Sequence, residues 1–152
     1  MAAAPRPADR QGIRDQALRW LTRREHTTRE LAMKFRARGY DSDSVVAALV
    51  ELTEQGLQSD QRFAEAFART RAESGYGPLR IRSQLRERGV DDDTIRAALS
   101  ALSVDWFEAC AAAWRKAFGA TPDTDIKARA KQQRFLSYRG FDPADIRQLL
   151  RD

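Results

Sequence analysis

Three short stretches of the chain align without a gap: "FRARGYDSDSVVAAL" (35–49), "LRERGVDDDTIRAAL" (85–99) and "LSYRGFDPADIRQLL" (136–150). Each carries Arg-Gly, an apolar residue and an aspartate: Arg38-Gly39-Tyr40-Asp41, Arg88-Gly89-Val90-Asp91 and Arg139-Gly140-Phe141-Asp142. The copies lie 50 and then 51 residues apart, a period that marks a stacked repeat array. The stretch also dictates a local fold. The glycine closes one helix in the left-handed conformation, and the apolar residue after it packs back on Phe35, Leu85 or Leu136. The aspartate then caps the next helix. The same apolar residue stands before that cap, so it also staples onto Val45, Ile95 or Ile146 one turn into the new helix.

Helical periodicity fills the rest of each copy. The middle helix opens at Gly77-Pro78 in the second copy and at the capping box Thr27…Glu30 in the first. In the third, Ala128 is no cap, so its helix is expected to start near Thr124. Before these lie "DQALRWLTRR", "DQRFAEAFARTRAES" and "DWFEACAAAWRKAF", with apolar pairs such as Phe63 and Phe67 at helical spacing. The sequence thus predicts an all-α protein of three tandem three-helix repeats, forming an elongated or curved array. A disordered tail covers 1–10, and the repeats cover 11–56, 57–103 and 104–152. With 32% charged residues and a mean hydropathy of −0.64, each repeat has a thin core.

Much catalytic chemistry finds no residues here. His26 is the lone histidine and falls between two helices, where a surface or capping role is expected. Cys110, the lone cysteine, sits among Trp106 and Trp114 in an apolar pattern and reads as core. Trp20 reads the same way. No zinc spacing or phosphate-cradling glycine loop is present, so neither enzymatic activity nor a cofactor is expected. "MAAAPRPADR" has no signal-peptide core and no run reaches membrane-spanning length, which points to a cytoplasmic protein with no membrane contact.

The net charge is +5, with an isoelectric point near 9.9. It gathers on one structural position. Residues 27–38, 77–88 and 127–139 carry +3, +3 and +5, whereas 41–55 carries −4. Of these cations the candidates for binding are Lys34, Arg36 and Arg38; Arg80, Arg82, Arg86 and Arg88; and Lys127, Arg129, Lys131, Arg134 and Arg139. Glu65, Arg69 and Glu73 form a self-compensating stripe on the helix preceding the second set. Two readings stay open: a solvated face favoured by the helix dipole, or a grip on an acidic ligand, nucleic-acid backbone first. Tyr76, at a turn beside the basic helix, is the aromatic most open to base stacking.

"SDQRFAEAFARTRAESGYGPLRIRSQLRERGV" resembles the central signature of the RecX family, bacterial regulators of the RecA recombinase, through Phe63-Ala64, Phe67, Arg71, Gly75, Gly77-Pro78, Arg80-Ile81, Leu85 and Arg88-Gly89. "TTRELAMKFRARGYD" is similar to that family's first repeat and "KQQRFLSYRGFDPADIRQLL" to its ending. "GLQSDQRF" departs from it, since many relatives carry paired aspartates before the helix. The resemblance implies a non-enzymatic regulator, mainly an inhibitor, that binds RecA–DNA filaments and modulates recombination, DNA repair and the SOS response. It implies a RecA filament and single- or double-stranded DNA, read without sequence preference, as partners of a monomer. The segment the family conserves falls on Arg71, Arg80, Arg82, Arg86 and Arg88. Arg71, at the edge of the apolar stripe, is also open to a structural ion pair. Other classes remain: a stand-alone helix-turn-helix DNA reader, against which the threefold repetition argues, or a helical-repeat scaffold for acidic proteins.

Overall fold

Each Gly corner forms as a pair of backbone hydrogen bonds. Tyr40 N–H donates to the Phe35 carbonyl at 3.2 Å and Gly39 N–H to Arg36 at 3.0 Å; Val90 to Leu85 and Gly89 to Arg86, and Phe141 to Leu136 and Gly140 to Ser137, repeat the pattern. This is the Schellman arrangement, and the glycines take φ of +78°, +86° and +93°. Asp41, Asp91 and Asp142 then accept from the amides of Ser44, Thr94 and Ala144. Of the stapling residues Val90 and Phe141 are buried and Tyr40 is partly so, and Phe35, Leu85 and Leu136 are fully enclosed. Cutting any of the three back to alanine costs about 2–5 kcal/mol.

The computed structural model describes residues 9–119 and 125–151. Among these it holds nine helices and no strand-forming segment longer than an isolated bridge: α1 (Arg10–Arg23), α2 (Thr28–Ala37), α3 (Ser42–Glu54), α4 (Asp60–Glu73), α5 (Pro78–Glu87), α6 (Asp92–Ala101), α7 (Trp106–Phe118), α8 (Ile126–Arg139) and α9 (Pro143–Leu150). The fold is three tandem three-helix repeats. The expected start of α8 near Thr124 falls on a residue outside those described; α8 is capped by Asp125 and begins at Ile126. Most of the expected tail also lies outside them. None of the described helices is long and apolar enough to cross a membrane.

Each triplet encloses its own core. The first gathers Ile13, Ala17, Trp20, Leu31, Phe35 and Leu52. The second is built on Phe63, Ile81, Leu85, Val90 and Ile95. The third is built on Cys110, Trp114, Leu136, Phe141 and Ile146. Trp106, the first residue of α7, packs against the second core rather than the third, so it bridges two units.

Polar seams join the units, and they obey one rule. The N-terminus of each middle helix docks on the Gly corner of the next unit. Thr27 caps Glu30 N–H with its hydroxyl oxygen and donates that hydroxyl to the Arg88 carbonyl at 2.8 Å. One seam later, Gly77 N–H donates to the Arg139 carbonyl at 2.7 Å and Leu79 N–H to Gly140 at 2.9 Å. Corner carbonyls of the third unit thus satisfy a donor that the start of α5 leaves without an intrahelical acceptor. Gly77 has an ordinary φ of −90°, so its reason for being glycine is space. A Cβ there would sit 2.4 Å from the Gly140 oxygen. At Gly89 and Gly140 a Cβ would strike Arg29 and Arg80, whereas at Gly39, the corner of the first unit, it would meet nothing within 4 Å.

Candidate nucleic-acid interface

The three basic helices do not present one uniform face; their partners sort the cations into distinct groups. The most ordered is a strip on the second unit that crosses into the third. Arg88 lies 4.6 Å from the Phe67 ring centroid and Arg71 lies 5.2 Å from the same ring. Arg71 also reaches Tyr76 at 5.4 Å, where Arg80 (5.0 Å) and Arg139 (4.7 Å) join it. Arg80 continues to Tyr138 at 4.4 Å and Arg139 to Phe135 at 5.1 Å. All lie within the range of cation–π attraction. Arg80 further donates to the Tyr138 carbonyl at 2.9 Å and Arg139 to the Ser74 carbonyl at 3.2 Å, so these two also strap the seam. Tyr76 ends as the hub of three guanidiniums. The ion-pair role open to Arg71 is not what forms: its partners are rings.

Arg82 and Arg86 sit elsewhere. They line a groove between α5 and α6 with Asp92 and Arg96, and Arg86 Nε meets the Asp92 carboxylate at 2.8 Å. That pair spans the corner and neutralises part of the charge expected to grip a ligand. In the first unit Lys34 (4.8 Å) and Arg38 (5.0 Å) both lie over Trp20, which offsets the repulsion of two like charges four residues apart. Arg36 faces away from that ring, into an apolar groove with Met33, Tyr40 and Val46. On α8 the cations divide again. Arg129 lines a groove against α9 with Gln133, Ile146 and Arg147. Lys127, Lys131 and Arg134 are exposed and stand on one face of the helix, at four- and three-residue steps.

Among the described residues, Arg71, Arg80, Arg88 and Arg139 are in no ion pair, whereas Arg10, Arg24, Arg62, Arg86 and Arg96 each meet a carboxylate. The stripe expected on α4 does not pair internally either, since Glu65 accepts from Gln61.

Two expectations about single residues need correction or completion. His26 is not at the surface; it is 2% exposed, packed at the seam of the first two units. Its Nδ1–H donates to the Arg24 carbonyl at 2.9 Å and Nε2 accepts from Lys34 Nζ at 3.1 Å, while Gln58 donates to its carbonyl. Burial, reinforced by the Arg24 and Lys34 charges, holds its pKa below the usual histidine value. Nearby, burial works against ionisation of Glu30, but hydrogen bonds from Arg24 and the Thr27 amide still keep its carboxyl below the ordinary range. Cys110 is fully buried as expected, and burial, with Asp145 close by, pushes its thiol up to about 12. Trp20 and Trp114 are core, and Trp114 donates its indole N–H to the buried Gln132 at 3.0 Å.

Sequence reasoning gave Tyr138 no role. Its signal was available: the matching positions in the other corners are Ala37 and Glu87, so nothing in the repeat calls for an aromatic there.

Comparison with known proteins settles the family. Models of the first, second and third three-helix domains of RecX match residues 14–52, 59–99 and 103–150. The chain belongs to the RecX family. It is 44% identical over 138 residues to the regulatory protein RecX of Pseudomonas fluorescens strain Pf-5, covering 91% of this chain and 89% of the relative. It is 44% identical over 137 residues to that of Halorhodospira halophila, covering 90% and 85%. The crystal structure of RecX from Lactobacillus salivarius superposes with a TM-score of 0.79 over 93% of this chain and 94% of that one, at 22% identity. The fold is therefore the RecX fold, and the relatives are named as regulatory proteins.

Proposed function

We propose that this chain is a non-enzymatic regulator of the RecA recombinase that binds RecA–DNA filaments, mainly as an inhibitor, and thereby modulates recombination, repair and the SOS response. The resemblance to RecX supplies RecA as the partner. The observation that carries the reading is the strip of Arg71, Arg88, Arg80 and Arg139, held on ring faces and in no ion pair among the described residues. Arginines so splayed present forks to phosphate oxygens, and phosphate contacts carry no sequence preference. A second kind of surface on the first unit suits protein: Met33, Val46 and Val50 are 59%, 56% and 49% exposed, and an apolar patch is a poor match for a nucleic-acid backbone.

The test is a salt-titrated binding assay on single-stranded, duplex and RecA-coated DNA, with Arg71→Gln plus Arg88→Gln against Arg86→Gln. Each lost phosphate contact flattens the log–log salt slope by about 0.7 on single strands and about 0.9 on duplex. The double variant should therefore lose slope and affinity, while Arg86→Gln, whose charge is already engaged by Asp92, stays within about two-fold of wild type by the weak worth of exposed pairs. Unchanged slope and filament affinity in the double variant would make the strip a structural strap only. Loss on RecA-coated DNA alone would move the contact to acidic patches on RecA.

A further inference from the structure

The geometry points to Tyr138 as a stacking platform for an unpaired nucleobase, fed by the cation track Lys127, Lys131 and Arg134 on the same face of α8. It rests on the nucleic-acid reading above and narrows it to a preference for single strands.

Five observations meet at this residue. Tyr138 is 70% exposed, which leaves it almost no part in the third core. Arg80 lies 4.4 Å from its ring centroid and is anchored by a hydrogen bond to the carbonyl of Tyr138 itself, so one face is covered by a fixed cation. The outward face is open. Lys127, Lys131 and Arg134 precede it by eleven, seven and four residues, which on a helix is one stripe ending at the ring, with steps of roughly 4.5–6 Å. Among the described residues no carboxylate forms an ion pair with Lys131 or Arg134, the last two cations of the stripe before the ring. Ala37 and Glu87 at the matching corner positions show that neither the turn nor the cap requires an aromatic.

The chemistry follows. A base brought onto the open face would complete a guanidinium–ring–base stack, the phosphates behind it running along the cation stripe. Duplex bases are already stacked on one another and cannot reach the ring without being extruded. The three cations on the Tyr138 side alone would grip any polyanion; the ring is what distinguishes a strand with bases from a bare backbone.

The experiment measures binding of the full chain to a fluorescein-labelled oligo-dT, to the same oligonucleotide with a central run of abasic sites, and to duplex of equal length. Wild type should bind the intact strand at least about five-fold tighter than the abasic one, the low end of measured base–aromatic stacking. Tyr138→Phe should keep that ratio, whereas Tyr138→Ala and Tyr138→Leu should bring it to unity, with duplex affinity unchanged in all three. Melting temperatures should fall by no more than about 2–4 °C, since the side chain is on the surface and only its contact with Arg80 is lost. Lys131→Gln with Arg134→Gln should instead weaken intact and abasic strands equally and flatten the salt slope. A strand carrying 5-iodouracil should cross-link to the peptide that contains Tyr138. If Tyr138→Ala discriminates intact from abasic DNA as wild type does, the platform is overturned while the backbone reading stands. Wild type binding both strands equally, with a steep salt slope, would overturn the platform in the same way. If it binds neither, the nucleic-acid reading fails and this inference with it.

Discussion

Replacing Gly77 by serine sets two effects of opposite sign against each other. Judged as a helix start alone, the change is an improvement. Serine is the better cap by a few tenths of a kcal/mol. Removing a glycine from the unfolded chain adds about 0.4–1 kcal/mol where the backbone is compatible. It is compatible here, at φ −90° and ψ 171°. The seam reverses the outcome. The new Cβ would lie 2.4 Å from the Gly140 oxygen and 2.6 Å from the Phe141 nitrogen, both backbone atoms that no rotamer change can move. Relief requires α5 to withdraw from the third corner. That gives up the bonds from Gly77 to Arg139 and from Leu79 to Gly140. At about 0.5–1.5 kcal/mol net each, the two bonds amount to roughly 1–3 kcal/mol. The balance is a loss centred on about 1 kcal/mol, within roughly 0–2, once the two gains are set against it. Urea unfolding followed by tryptophan fluorescence and circular dichroism gives the sign, and amide exchange at Leu79 gives the cause. A variant as stable as wild type, or more so, with Leu79 still protected, would refute the seam.

Further expectations come from the same geometry. Gly39→Ala should cost only the left-handed strain of about 1–2 kcal/mol, whereas Gly140→Ala, at nearly the same φ but against the Arg80 backbone, should cost clearly more; equal losses in urea melts would contradict the packing rule. His26 has a folded pKa below its free value of 6.5, so the folded state binds fewer protons and stability should be full above that pH and fall as pH drops beneath it. His26→Gln should abolish this slope between about pH 5 and 7, since no other side chain titrates there unperturbed; a slope that survives would assign the proton elsewhere. Cys110, with its thiol pushed up to about 12, should react with a thiol reagent at pH 8 only on unfolding, and rapid labelling of the native protein would disprove its burial. The purified protein alone should release no phosphate from ATP, because among the described residues no group of carboxylates is arranged to hold the magnesium a triphosphate carries.

What the sequence made legible was local. The Gly corners depend on residues no more than five apart, and all their signals sit side by side: Phe35 with Tyr40, Asp41 with Ser44. The seams depend on residues about sixty apart that meet through backbone, as Thr27 does with Arg88 and Gly77 with Arg139. Nothing in the letters marks Gly77 as more than a helix start. The burial of His26 is hidden for the same reason, because Gln58 from the far side of the seam helps enclose it. The candidate interface was half legible. Net charge found the three basic helices, but which cations are free depends on what faces them. Asp92, six residues beyond Arg86, takes that arginine out of play, and Tyr76 becomes a hub only when Arg139 arrives from the third unit.

The two seams obey one rule with different keys. A side-chain hydroxyl meets a carbonyl at the first, and backbone meets backbone at the second. Units that look interchangeable are therefore ordered parts: a first-unit helix start carried to the third corner would bring Thr27's Cβ to where Gly77 has none. The joined faces are also unlike, helix start against corner, so the array cannot be read the same way from both ends. It has a direction, as a nucleic-acid strand has, and a directional array laid on such a strand would have two inequivalent orientations.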